Sequence, residues 1–323
     1  MPATGRPPLE KPSERVFPRR PSAQTRPAYD LTCIKPSRPP LAQTVAVPDQ
    51  AATMLDILAP VRHVHAWQGS PRYAAELAAL IQGSLTGLYA LEPLTSAPQE
   101  ASPGMLAEVV EFLRELLDAA NHAGPDFQRW ARELGVREAQ WRAGQGSLRQ
   151  MLAATAPWHD LVVMGADAQS TWESPGGLAE LLLGLRQACL VVPSEVEHVK
   201  LDVVVMAWNG AAEGTRAIRS ARPLLRQARR RILLQARVPA VEPPLALEPM
   251  SHYLQRQGLE HELRLLDVAP DHAGDSILRE TEAAGADLLV MGAYGRSRFS
   301  EWMLGGATRT VLSRARIPVL LQH

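Results

Sequence analysis

Apolar positions along this chain fall into two kinds of run. Continuous blocks of four to six, such as Leu161 to Met164 and Leu288 to Met291, are too short for helices and read as buried strands. Other apolar residues recur at three- and four-residue steps, as in Leu106, Val109, Val110, Leu113, Leu116 and Leu117, and mark amphipathic helices. The pattern predicts strands within 57–67, 85–90, 141–144, 160–165 and 189–193. Between them it predicts helices opening at Pro71 (apolar Leu77, Leu80 and Ile81) and over 105–120, 148–154 and 178–185. The same sequence of elements then returns, with strands at 201–209, 231–236, 260–267, 287–292 and 318–321 and helices at 216–225, 250–257, 277–284 and from about Gly305. The block Asp160 to Gly165 reappears almost letter for letter as Asp287 to Gly292, and Ala66-Trp67-Gln68-Gly69 resembles Ala207-Trp208-Asn209-Gly210. A period of roughly 130 to 140 residues is too long for a solenoid repeat and reads as a duplicated domain.

Alternation of strand and helix implies an α/β fold with a parallel sheet covered on both faces. Right-handed crossovers then leave open doubly wound topologies, whose ligand crevice lies at the carboxyl ends of the strands where neighbouring crossovers part to opposite faces. The expected organisation is a tail over 1–53, a first domain over 54–199 and a second over 200–323. The tail carries Pro7, Pro8, Pro12, Pro18, Pro21, Pro39 and Pro40 among arginines, with few large apolar groups, and is expected to be disordered. Met54, which opens directly onto folded sequence, is an alternative start of translation.

Composition narrows the function. An apolar fraction of 46% over 323 residues supports proper cores, and a formal charge of +0 argues against a general nucleic-acid binder. Cys33 and Cys189 stand far apart, giving neither a disulfide framework nor a metal pattern, which fits a reducing, cytoplasmic setting. No apolar run approaches a membrane span, and the N-terminus lacks the apolar core of a secretory signal, so no membrane association is expected. His63 and His65, alternating on the first expected strand, lack further ligands and read as polar strand positions rather than a metal site. Trp67 and Trp208, at matching strand ends, read as packing residues beside the glycine loops.

The stretch that carries chemistry follows the strand at Leu288 to Met291. Gly292 ends the strand, Gly295 follows, and after nine intervening residues Gly305-Gly306 open a helix with Val311 and Leu312 inward. Glycines permit close approach of a ligand, and the first turn of a helix offers unpaired N–H groups with a positive partial charge. A nucleotide phosphate suits such a place. Asn209, ending the first strand of the second copy, faces this loop across the expected crevice, and its amide supplies both a donor and an acceptor.

Gly292, Gly295 and Gly305 stand at the spacing Gly-x2-Gly-x9-Gly, and in this the chain resembles the universal stress protein (UspA-like) family, in its tandem two-domain bacterial type. Gly306 departs from the pattern, which has a serine or threonine there, and Asn209 stands where ATP-binding members usually have aspartate. The resemblance covers residues from about Met54 to His323 and implies two five-stranded parallel sheets in the order 3-2-1-4-5. It also implies an adenine nucleotide, ATP, ADP or AMP with Mg2+ on the phosphates, as cofactor. Carried over residue by residue, Ala207 and Asn209 border the base, and the backbone at Ala236 pairs with adenine. Met291, Gly292, Tyr294 and Gly295 line ribose and phosphates, and Gly305, Gly306 and Ala307 present N–H groups to the outer phosphates. Arg296 beside the loop and Thr308 in the first helical turn are further candidates from their chemistry alone.

The first copy has lost parts of this pattern. Gly165 remains, but Ala168 replaces the second glycine, the loop to Gly176-Gly177 is shorter, Gln68 takes the place of Asn209, and Asp167 and Glu173 bring negative charge. One nucleotide site is therefore expected, in the second copy, with the first as scaffold and pseudo-dimer partner within the chain; a homodimer of chains is the further possibility. No Gly-x4-Gly-Lys phosphate loop and no nucleophile elbow occur. The leading reading is a non-enzymatic stress-response regulator that binds nucleotide and signals to a protein partner of unknown identity. The alternatives are a family member acting only through protein contacts, and an adenylating or nucleotide-hydrolysing enzyme on a related fold.

Overall fold

The computed structural model describes residues 55–92, 102–167, 174–237, 248–267, 272–293 and 306–323. The expected tail lies outside these residues. The chain runs β1 (Asp56–Val61), α1 (Ser70–Ile81), β2 (Ser84–Leu91), α2 (Pro103–His122), α3 (Gly124–Glu133), β3 (Glu138–Gln145), α4 (Leu148–Thr155), β4 (Leu161–Ala166), α5 (Pro175–Gly184) and β5 (Ala188–Pro193). It continues with β6 (Val203–Ala207), α6 (Ala212–Ser220), α7 (Arg222–Gln227), β7 (Arg230–Arg237), α8 (Glu248–Arg256), β8 (Glu262–Asp267), α9 (Ala273–Ala283), β9 (Leu288–Gly292), α10 (Gly306–Arg314) and β10 (Val319–Gln322).

All ten strands join one sheet in the order β3-β2-β1-β4-β5-β10-β9-β6-β7-β8. Each half follows the order 3-2-1-4-5 and is parallel throughout. The halves meet at β5 and β10, which run antiparallel, pairing Val191 with Val319, Leu190 with Leu320 and Cys189 with Leu321. The carboxyl ends of the strands therefore point in opposite directions in the two halves.

The apolar blocks form strands because helices cover the sheet on both sides. Along β1, Ile57 faces α1 and α3 while Leu58 faces α4 and α5; along β6, Val204 and Val205 divide in the same way. One face carries α1, α2, α3, α6, α7 and α8, anchored by Tyr73, Leu77, Phe127, Ile218, Leu224 and Leu254. The other carries α4, α5, α9 and α10, anchored by Leu152, Leu178, Ile277 and Val311. Central strands β4, β5 and β9 are buried nearly end to end, as strands covered on both faces must be. Several helices start on side-chain caps: Ser102 accepts from Met105 N at 3.3 Å, and Ser147 and Gln150 form a reciprocal capping box before α4.

Three local expectations are corrected. β1 stops at Val61, so His63 and His65 sit exposed in the connection to α1 rather than on a strand. The single helix expected over 216–225 is two, α6 and α7, with Ala221 between them; Pro223 has no N–H to donate and sits in the opening turn of the second. Helix α3, opened by Pro125, was not expected at all.

Candidate functional site

In the second half β6 and β9 lie side by side, and Ala207 pairs with Met291 as the last residues in register. The expected crevice between the first and fourth strands of this half is thus built from neighbours at the sheet centre. Trp208 carries the chain off β6 while its N–H still donates to Leu234 O on β7 at 2.9 Å. Its indole Nε1 donates to Thr215 Oγ1 at 3.1 Å, and that hydroxyl in turn donates to Ala211 O at 3.1 Å. Asn209 is exposed, and its Oδ1 accepts from Ala211 N at 3.1 Å, an Asx turn that aims the chain into α6. Gly210 completes the reversal at φ 83°, a conformation that suits glycine. The side-chain oxygen of Asn209 is therefore engaged, and the amide donors are what it presents outward.

Gly292 is small for a reason the sequence did not disclose. A Cβ there would lie 2.5 Å from Gly214 N and 2.9 Å from Glu213 C, so the glycine admits the first turn of α6 against β9. Gly214 is its counterpart on the helix, where a Cβ would stand 3.0 Å from Trp208 Cδ1. Gly214 is thus a structural member of this site that spacing arguments missed; the signal was a glycine near the start of an otherwise helical run. Ala293 follows, buried, its N–H donating to Gln322 O at 2.9 Å. Tyr294, Gly295, Arg296 and Gly305 lie outside the described residues.

The chain returns at Gly306, the first residue of α10, which is exposed and has open space where a Cβ would stand. Ala307 follows; its carbonyl and Cα pack within 3.0 to 3.1 Å of where a Cβ on Gly274 would be, which fixes α10 against α9. Thr308 is only 4% exposed and lies with Val311 and Leu312 on the buried side of the helix. Ala236 pairs with Leu266 on β8, two residues past the last β6–β7 register pair, Ala207 with Leu234.

The first half differs at each equivalent point. Register aligns Ile57 with Val204, through their partners Leu161 and Leu288. Arg62, not Gln68, therefore stands where Asn209 does, and Val61, not Trp67, corresponds to Trp208. The apparent match of Ala66-Trp67 to Ala207-Trp208 is overturned because the connection from β1 to α1 spans 62–69, whereas that from β6 to α6 spans only 208–211. Trp67 instead packs against Phe127 and Trp130, each with ring centroids 5.3 Å away, and Trp141 at 6.0 Å. Arg62 Nη1 reaches Asp167 at 3.8 Å, so the acidic group expected to repel a phosphate meets a guanidinium. Ser174 caps α5 by accepting from Gly177 N at 3.2 Å, occupying an N–H that a ligand would need. Ala168 and Glu173 lie outside the described residues. Among the described residues no group of three or more His, Cys, Asp and Glu could hold a metal ion, and no helix is long and apolar enough to cross a membrane.

Comparison with known proteins agrees with this layout. Residues 204–323, from β6 to β10, match the model of the universal stress protein family. Over 276 residues the chain is 25% identical to Universal stress protein Slr1230 of Synechocystis sp., covering 78% of this chain and 94% of that protein. A solved universal stress protein from Archaeoglobus fulgidus superposes with a TM-score of 0.60 at 16% identity, covering 83% of this chain and 96% of its own. A Pseudomonas aeruginosa protein of unknown function does so with a TM-score of 0.52 at 14% identity, covering 84% and 93%. These structures speak to the fold, and they extend it across both halves of the sheet. The family model thus lies over the half that keeps the glycine pattern, and that half is similar to universal stress proteins.

Proposed function

We propose that the second half binds one adenine nucleotide in the crevice at the carboxyl ends of β6 and β9, and that the protein works through conformation and protein contacts rather than turnover. Residues 54–199 and 200–323 act in this reading as two domains, the first a scaffold without nucleotide. The observation that carries it is the exposed start of α10 at Gly306, where a Cβ would meet none of the described residues within 4 Å, in the half where β6 and β9 end together. A phosphate there meets helix N–H groups and the positive end of the helix. Asn209 offers its amide donors to ribose or base, and the backbone of Ala236 lies two residues beyond the part of β7 that pairs with β6, while still pairing with Leu266 on β8. Mg2+ arrives on the phosphates, since no described cluster of protein ligands would hold it by itself.

The non-enzymatic part of the reading rests on where charge is perturbed. Among the described residues of the second half, the displaced ionisations belong to the Arg230–Glu262 ion pair, at the amino ends of β7 and β8 and so at the opposite end from the crevice. Catalytic groups tend to be perturbed at their site. The test is a calorimetric titration of ATP, ADP and AMP with Mg2+, together with mass spectrometry of small molecules released on denaturing the purified protein. One nucleotide per chain, weakened alike for ATP and AMP by Asn209→Ala, supports the reading. Absence of saturable binding by all three nucleotides would leave a family member that acts through protein contacts alone.

A further inference from the structure

A second cleft lies at the other end of the second half, where the segment between β5 and β6 crosses from one half to the other. It encloses about 360 Å³, room for a small organic molecule. Its walls bring Glu195 and Glu197 from that segment together with Asp287 from the residue before β9, against the single lysine Lys200. Val196, Ile317 and Pro318 supply an apolar side. The crossing segment is held in shape by Glu76 on α1, which accepts from Val199 N at 3.1 Å and pairs with His198 Nδ1 at 3.0 Å. His198 is thus committed to Glu76, and the cleft is left with an acidic balance.

Tyr73, also from α1, lines the same cleft. Its side chain is fully buried, and its hydroxyl has no hydrogen-bond partner. Burial, and then the nearby Asp287 carboxylate, push its ionisation upward, so it stays a neutral phenol with an oxygen ready to accept. A buried hydroxyl without a partner is costly, and an apolar residue of the same shape would avoid the cost. The three carboxylates do not converge as a metal requires: among the described residues no such group forms. Acidic groups spread along a partly apolar cleft suit an extended cation with separated charges.

We propose that this cleft binds a short aliphatic diamine or polyamine, one ammonium bridging Asp287 and the Tyr73 hydroxyl and another meeting Glu195 or Glu197. The alkyl chain lies against Val196, Ile317 and Pro318. Binding there would tie α1 of the first half to the strand starts of the second through the segment that joins them.

Spermidine and 1,4-diaminobutane, titrated into the full chain without nucleotide, test this directly. Saturable binding of one spermidine per chain, with a rise in Tm, is expected. Tyr73→Phe keeps the ring and removes only the hydroxyl, and Asp287→Asn keeps an acceptor for Val203 N, which the native carboxylate holds at 2.9 Å. Each should weaken spermidine about tenfold or more, the loss of one charge-assisted hydrogen bond. Tyr73→Phe should also leave the unliganded protein at least as stable as before, a result a purely structural hydroxyl would not give. Lack of saturable binding, unchanged affinity in both folded variants, or equal protection by Mg2+ alone would each overturn the proposal.

Discussion

Gly292 on β9 and Gly214 on α6 are packed backbone to backbone: a Cβ on Gly292 would stand 2.5 Å from Gly214 N. The glycine that opens the Gly-x2-Gly-x9-Gly spacing is therefore also the place where a helix rests on the sheet. Gly292→Val should destabilise the protein without any ligand present, by about 1–3 kcal/mol as in other overpacked sites. Chemical denaturation of the apo protein reads this. Unchanged stability would show that α6 yields at no cost, and lost nucleotide binding in that variant would then report on the crevice itself.

Gly306 behaves oppositely, because none of the described residues stands within 4 Å of a Cβ there. Gly306→Ser should fold normally and tighten ATP by about 1 kcal/mol or more, the worth of one added hydrogen bond to a charged oxygen. AMP should gain much less if the hydroxyl meets the outer phosphates. Equal gains for both nucleotides, or none for ATP, would move the phosphates off this helix.

Glu76 makes stability depend on acid. Burial alone would raise its pKa, but hydrogen bonds from His198, Arg72 and Val199 N outweigh burial and hold it below the usual carboxylate value. A carboxylate with a lowered folded pKa contributes stability above its unfolded value of about 4.3, and that contribution is lost as pH falls through the folded value. Thermal melts of wild type and Glu76→Gln should accordingly differ most above the unfolded value and converge as pH falls through the lowered folded value. Curves that stay parallel into acid would show that the carboxylate charge is not what holds the crossing segment.

At the seam, Leu320 on β10 is fully buried and pairs with Leu190 on β5. Leu320→Ala should cost about 2–5 kcal/mol, since a cavity at the centre of a sheet covered on both faces cannot collapse easily. Denaturant titration followed separately by Trp fluorescence and circular dichroism should show both signals moving together. If the two signals separate, with only the second half weakened, the shared sheet does not couple the halves.

The fold was legible wherever burial alone decides structure. The blocks Leu161 to Met164 and Leu288 to Met291 became β4 and β9 because a strand covered on both faces must be apolar at every position. What stayed hidden was set by contacts between distant segments. Nothing local to Cys189 or Leu321 tells that they pair antiparallel. Ala66-Trp67 imitated Ala207-Trp208 in letters, but the longer connection after β1 moved Trp67 into an aromatic cluster with Phe127, Trp130 and Trp141. No element was expected between 120 and 141, yet Pro125 sits in the opening turn of α3, a position that suits proline. At the sheet centre, Gly292 ends β9 and Asn209 follows the neighbouring β6. Spacing did not reveal that Thr308 turns inward or that Asn209 spends its oxygen on Ala211.

The antiparallel joint of β5 and β10 frees the halves from having to be alike. In a complex of two identical chains, any residue chosen for one crevice is imposed on the other. Here one polypeptide supplies both edges, so matching places hold different residues, charged Arg62 in one half and neutral Asn209 in the other, and the joint does not loosen on dilution. A change that improves one crevice leaves the other untouched. Covalent linkage thus turns a symmetric arrangement into one that permits division of labour.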